Sequence, residues 1–252
     1  MGAIISESAY LGKNVQLGAH CIIEDNVIIG DYCQIGHNVI IRSNVTIGCE
    51  VQIADQTIIG KLPVYSPRSI FQGESTWTRT IIGDYCRIGA QVVIYIQCEM
   101  STNNFVADYA SIRENVVIGE MNIIGRNATI ENHVQIGNFN KIETNVYLTA
   151  YSIVTDYCFI APCVSTSNDN FVGRDQARFQ HFKGITMETG ARVGVSSIVL
   201  PGIVLGRDCL IGAGSLVTKN VPEGEIWLGS PAKYYGLVSE NQRLANNIFP
   251  KH

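Results

Sequence analysis

An apolar residue returns every six positions along most of this chain. From Ile5 the series runs through Leu11, Leu17, Ile23, Ile29, Ile35, Ile41, Ile47, Ile53 and Ile59 without a miss. A second series starts at Ile82 and passes Ile94, Ile112, Ile130, Ile136, Ile142 and Leu148 on its way to Ile160. A third reads Met187, Val193, Val199, Leu205, Ile211 and Val217. Six is neither the period 2 of a strand nor the 3.6 of a helix. If each apolar post is i, position i−2 is small or β-branched (Val15, Val27, Ala110, Val134, Ser215) and i+1 is often glycine (Gly12, Gly18, Gly30, Gly137). Each hexad therefore predicts a short strand with i−2 and i facing the same way, followed by a turn whose backbone the glycine is expected to supply. Three such strands per coil make a triangular prism of parallel sheets, about 18 residues per coil, each coil rising about 4.8 Å.

The period sets the domain organisation. A β-helix is expected over 1–222, interrupted by a loop at 61–80 and by an external loop at 167–184. A cap of strand and short helix is expected over 223–252. Ser239 followed by Gln242 reads as a capping box at the start of that helix. Solenoids need such caps because an open end exposes core and unpaired strands. The fold class is thus all-β, with a short C-terminal helix.

Composition adds exclusions. Only 16% of the 252 residues are charged and the formal net charge is −4, which gives no reason to expect nucleic acid or an anionic membrane as partner. No run of about 18 apolar residues predicts a membrane span, and the start lacks a signal-peptide pattern. Of eight cysteines, Cys21, Cys33, Cys86, Cys98, Cys158 and Cys209 all occupy i−2. They read as small apolar fillers in a reducing cytoplasm, with no disulfide and no zinc pair.

The pattern [LIV]-G-x-x-[small]-x resembles the hexapeptide-repeat acyltransferases. That resemblance implies a left-handed coil, a homotrimer and acetyl-CoA lying in a cleft between neighbouring prisms, with no metal required. The segment "LIGAGSLVTKNVPEGEIWLGSPAKYYGLV", Leu210 to Val238, looks like the characteristic end of the CoA-dependent branch. Carried over, Ala213 and Gly214 meet the pantetheine and adenine, while Lys219 and Lys233 belong to the cofactor site, the latter near the phosphates. "VSTSNDNFVGRD", Val164 to Asp175, is similar to a Thr-Asn-Asp segment of nucleotide-linked amino-sugar N-acetyltransferases; here it reads Ser-Asn-Asp-Asn. The implied acceptor is a 3- or 4-amino sugar on a dTDP or UDP handle.

An 18-residue coil places Asn115, His133, Tyr151 and Asp169 in one corner column, with Asn168 beside it. His133 and Asp169 would lie two coils apart, roughly 10 Å, too far for a hydrogen bond within one subunit. Amide formation needs a neutral amine to attack the thioester, a donor for the oxyanion and an acceptor for the amine's proton. His133 is the candidate base or substrate positioner, since histidine titrates nearest neutrality. Asn168 is a candidate to orient the amine or carbonyl, and Asp169 to hold a sugar hydroxyl or the ammonium. Tyr151 reads as a sugar contact or a surface residue, and Arg113 and Arg68 as phosphate contacts or flank residues. O-acetylation of a sugar or serine, a γ-type carbonic anhydrase using three histidines, and a non-catalytic scaffold are the competing readings.

Overall fold

The computed structural model describes residues 2–67, 77–174 and 176–247. Within them the chain winds as a left-handed parallel β-helix of three flat faces. The first face stacks eleven strands from Ile4–Ile5 to Leu216–Val217, the second ten and the third twelve. Most strands are two residues long and pair in parallel with the strand 18 positions on, as Ile112 does with Ile130 and Ile130 with Leu148. The posts form the core: Ile23, Ile41, Ile59, Ile94, Ile112, Ile130 and Leu148 are all fully buried.

Two excursions leave the prism. Val45 pairs with Thr80, 35 positions on instead of 18, so the chain departs after the strand Ile58–Lys61. Ile153 pairs with Thr186, 33 positions on, and this second excursion lies between Ser165–Thr166 and Thr186–Met187. It carries a 3-10 turn at Gln176–Gln180.

Three expectations about local structure need correction. The left-handed backbone sits at i+3, not at the i+1 glycines. Asn14, His20, Asn26, Tyr32, Asn115, His133 and Tyr151 all have φ between 55° and 64°. The i+1 glycines serve stacking: a Cβ on Gly18 would fall 2.5 Å from the Gly36 carbonyl carbon of the next coil. The cysteines are more than fillers. Cys21, Cys33, Cys86 and Cys98 each donate Sγ–H to a corner carbonyl 15 positions on, such as Arg113 O at 2.9 Å from Cys98. Asn104, Asn122 and Asn140 do the same job with their amides. The corner carbonyl turned into the prism needs a donor, and a small polar i−2 side chain supplies it. Burial pushes the thiols of Cys98, Cys158 and Cys209 up to about 12, so Cys98 and Cys158 keep the proton they donate to Arg113 O and Glu188 O.

The short C-terminal helix takes 3-10 form, after a hairpin. A hairpin, Glu225–Gly229 and Ala232–Leu237, extends the third face by pairing Leu210 with Ile226. Two 3-10 turns follow, Glu240–Gln242 and Leu244–Asn246. Ser239 makes no side-chain cap; its hydroxyl bonds Asn241 instead, so the capping box does not form. Among the described residues no helix is long and apolar enough to cross a membrane.

Candidate active site

The edge after the first face differs from the other two. On those, i+1 is mostly Gly or Ala; here successive coils place Tyr95, Arg113, Glu131, Thr149 and Ser167 at i+1. The i+3 position of the same turns carries His133 and, one coil on, Tyr151. Their rings stack, with centroids 5.1 Å apart and planes 3° off parallel. The left-handed backbone at both residues and the 18-residue coil put them there. His133 is half-buried and Tyr151 exposed, and burial raises the phenol's pKa.

The column does not continue to Asp169. In regular turns the i+3 N–H bonds the i+2 carbonyl one coil back, as His133 does to Glu114 and Tyr151 to Asn132. Gly202 makes that bond to Lys183, so Lys183 and Gly184 fill the corner places that spacing assigned to Asn168 and Asp169. The returning chain lies close: a Cβ on Gly184 would fall 2.3 Å from the Ser152 nitrogen. Only glycine fits, and Asp169 moves out into the loop. Its carboxylate accepts N–H bonds from Phe171 at 2.8 Å and Gly173 at 3.0 Å and pairs with Arg178 at 3.2 Å. Asn168 stands where the loop leaves, its carbonyl accepting from Lys183. His181 lies in the loop against Phe171, with ring centroids 5.8 Å apart.

Arg113 is committed to protein partners. Its Nε and Nη2 donate to both oxygens of Glu114, at 2.8 and 3.0 Å, and its Nη1 is 3.7 Å from Glu131. Its guanidinium also lies over the Tyr95 ring at 4.9 Å. Burial works against its charge, but the hydrogen bond and charge of Glu114 outweigh it and raise its pKa. Glu114 is 3% exposed and also accepts from Tyr65 at 3.4 Å. Nε and Nη2 are thus turned to Glu114, which leaves Nη1 as the end of the guanidinium through which the expected phosphate contact would have to be made. Arg68 lies outside the described residues.

Sequence reasoning missed Glu131 and Tyr147. Burial raises the Glu131 carboxyl, with Arg113 pulling the other way and Glu114 adding to the rise. Tyr147, on the strand one coil on, is raised in turn, by burial first and by the Glu131 charge second. The signal was available: stepping by 18 from Tyr95 gives Arg113, Glu131 and Thr149.

The cofactor candidates fall into two places. Ala213 and Gly214 turn the edge after the third face, exposed, with Gly214 at φ 67°. The hairpin bonds to the residues on either side of them: Gly212 N–H bonds Trp227 O and Gly229 N–H bonds Ser215, while Lys233 faces Leu228. Lys219 stands apart, exposed on the edge after the first face. Between the two edges runs the outer side of the first face. It is apolar at Ile4, Ile22, Ile40, Ile58 and Val93, turns hydroxylic at Ser111, Thr129, Tyr147 and Ser165, and is apolar again at Ile198 and Leu216. A groove of about 660 Å³ beside Gln34, Gln52 and Arg87 lies on the third face, away from these groups. Among the described residues no three His, Cys, Asp or Glu gather as a metal would need.

Comparison with known proteins bears on this arrangement. Residues 2–37 match the bacterial transferase hexapeptide family (six repeats), and residues 184–219 match the hexapeptide repeat of succinyl-transferase. The chain is 30% identical over 154 residues to the bifunctional protein GlmU of Synechococcus sp. (strain CC9311), covering 59% of this chain and 34% of that one. It is 29% identical over 145 residues to gamma carbonic anhydrase 2, mitochondrial, of Arabidopsis thaliana, covering 55% and 49%. It is 31% identical over 61 residues to the dTDP-3-amino-3,6-dideoxy-alpha-D-galactopyranose 3-N-acetyltransferase of Aneurinibacillus thermoaerophilus, covering 24% and 32%. The chain thus spans about half or less of the length of these curated relatives. Arabidopsis UDP-N-acetylglucosamine acyltransferase shares the fold, with TM-score 0.57 and 19% identity over 98% of this chain and 75% of that one.

Proposed function

We propose, taking as premise that this chain is a hexapeptide-repeat protein, that it is an acetyl-CoA-dependent acyltransferase. Its acceptor in this reading is the amine of a dTDP- or UDP-linked 3- or 4-amino sugar. The observation that carries the reading is His133, stacked on Tyr151, at the edge where the external loop with Asn168 leaves the prism. The 31% identity to a dTDP-amino-sugar N-acetyltransferase supports the acceptor class. In this reading acetyl-CoA lies against Ala213, Gly214 and Lys233 beside the hairpin, with Lys219 at the far edge of the first face. His133 and the Ala213–Gly214 turn stand on different edges with the first face between them. A second copy laid on that face closes a cleft with both walls, which supports a trimer with shared sites.

In the reaction the neutral amine attacks the thioester carbon. The N–C bond forms, the C–S bond breaks, and the departing CoA thiolate takes up the proton that nitrogen loses. His133 accepts that proton in transit or positions the amine. A backbone N–H on the coil stabilises the oxyanion. Asn168 orients the acceptor at the mouth of the loop, Asp169 holds the loop's shape, and Tyr151 packs against the sugar.

Two readings of the same fold are weaker. A carbonic anhydrase would need histidines brought together. Here His20 and His37 sit on the edge after the third face, His133 on another edge and His181 in the loop. A scaffold has no use for a carboxylate half-buried beside a stacked histidine. The test is thiol release from acetyl-CoA with dTDP- and UDP-amino sugars as acceptors, repeated with His133→Asn. Amine-dependent turnover that falls about 100-fold or more in His133→Asn is expected; wild-type turnover that the substitution leaves unchanged removes His133 from the mechanism.

A further inference from the structure

We infer that Glu131 reads the acceptor: its carboxylate receives one N–H of the amino group while His133 receives the other, and this sets the preference for an amine over a hydroxyl. The inference rests on the acyltransferase reading above.

Glu131 and His133 flank Asn132 on one turn, at the edge between the first two faces. Glu131 has unused acceptor capacity. A carboxylate offers about four lone-pair sites. Tyr147 lies beside it on the adjoining strand, and its nearest cation, Arg113 Nη1, stands off at 3.7 Å, while Arg113 Nε and Nη2 bond Glu114. The side chain is 22% exposed, so a ligand reaches it. Its surroundings suit a polyol. The outer side of the first face is hydroxylic only over the four coils carrying Ser111, Thr129, Tyr147 and Ser165, and Glu131 stands at the edge of that window.

The chemistry of the acceptor separates the two classes. A neutral amine has two N–H donors and one lone pair. It donates to Glu131 and to His133 and still presents the lone pair to the thioester. A hydroxyl has one O–H. If it donates to His133, its oxygen lone pairs meet the Glu131 carboxylate, which repels them. An unmatched polar group of this kind is a stronger discriminator than shape.

The experiment compares wild type and Glu131→Gln with acetyl-CoA. The acceptors are dTDP- and UDP-linked 3- and 4-amino hexoses and their hydroxyl counterparts, and thiol release is followed. Melting curves check that both proteins fold. Wild type is expected to favour the amine, and the amine-to-hydroxyl ratio of kcat/KM is expected to fall about tenfold or more in Glu131→Gln, with the larger part in KM for the amine. Tyr147→Phe, which removes the hydroxyl on the strand beside the carboxylate, lowers the ratio by about threefold, and it carries the test alone if Glu131→Gln does not fold. An unaltered ratio in the folded variants, or a wild type that prefers the hydroxyl, overturns the inference and leaves acyl transfer standing. A wild type that acetylates neither class overturns the acyltransferase reading, and this inference with it.

Discussion

Glu131 shows at one residue how function and stability pull apart. Its carboxyl is raised above its ordinary 4.5, chiefly because burial penalises the charge. A raised acid favours the folded chain in its protonated form. That contribution is whole below pH 4.5 and is lost as pH rises through the folded value. At neutral pH the charged carboxylate is therefore held against a penalty that glutamine does not incur. Glu131→Gln is expected to melt higher than wild type at pH 7, with the gap closing or reversing below pH 4.5. Melting curves at pH 4 and pH 7 decide it. A variant destabilised at pH 7 would mean that the attraction of Arg113 outweighs burial. Glu114, more deeply buried and bound bidentately by Arg113, stiffens the corner on which Glu131 is displayed.

The element of this fold is one strand and one corner, and its polar interior does specific work. Asn122 donates to Asn104 Oδ1 at 3.0 Å and to Gly137 O at 2.9 Å, and accepts from the Asn140 N–H at 2.9 Å. Leucine there leaves Gly137 O and the Asn140 N–H unpaired in a dry core. At about 1–3 kcal/mol for each orphaned group, Asn122→Leu is expected to lose about 3 kcal/mol in urea denaturation. Asn122→Cys, which retains a donor of the kind Cys86 supplies in the same column, loses less. Equal midpoints for Leu and Cys would show that the carbonyl needs no donor. The posts were legible because burial repeats as a side-chain property every six residues, and the His133–Tyr151 stack followed from adding 18. The donor role of the cysteines was not, because it answers a carbonyl orientation that no side chain announces. The left-handed i+3 position was also hidden, since Asn, His, Tyr, Gln and Glu all occupy it. Asp169 was misplaced because either end of the inserted loop satisfies the hexad spacing. Only the close approach at Gly184 decides which end turns the corner.

At the scale of the whole molecule, each coil touches only its neighbours, so the prism is nearly one-dimensional. Strand pairing is the same relation at every level: Ile5 meets Ile23, Ile23 meets Ile41, and Ile41 meets Ile59. Deleting residues 24–41 removes one full coil and joins Ile23 to Arg42, so Ile23 inherits Ile59 as its partner. The inward pattern of i−2 and i survives on all three faces. The losses are one layer of core and the exposed Arg42–Glu24 pair, which contributes little. The shortened chain is expected to fold with a lower melting point. It is also expected to keep its wild-type kcat/KM, because His133, Glu131 and the Ala213–Gly214 turn all lie on later coils whose mutual register is untouched. Deleting only 24–32 removes half a coil and breaks the hexad. Posts then meet corners, and no stacking of the first coils on the rest satisfies both the core and the ladder. Circular dichroism and turnover on the two deletions separate the cases. If the full-coil deletion folds but loses the acetyl transfer proposed for the full chain, the first coils take part in the site, and the assignment of the chemistry to the later coils fails.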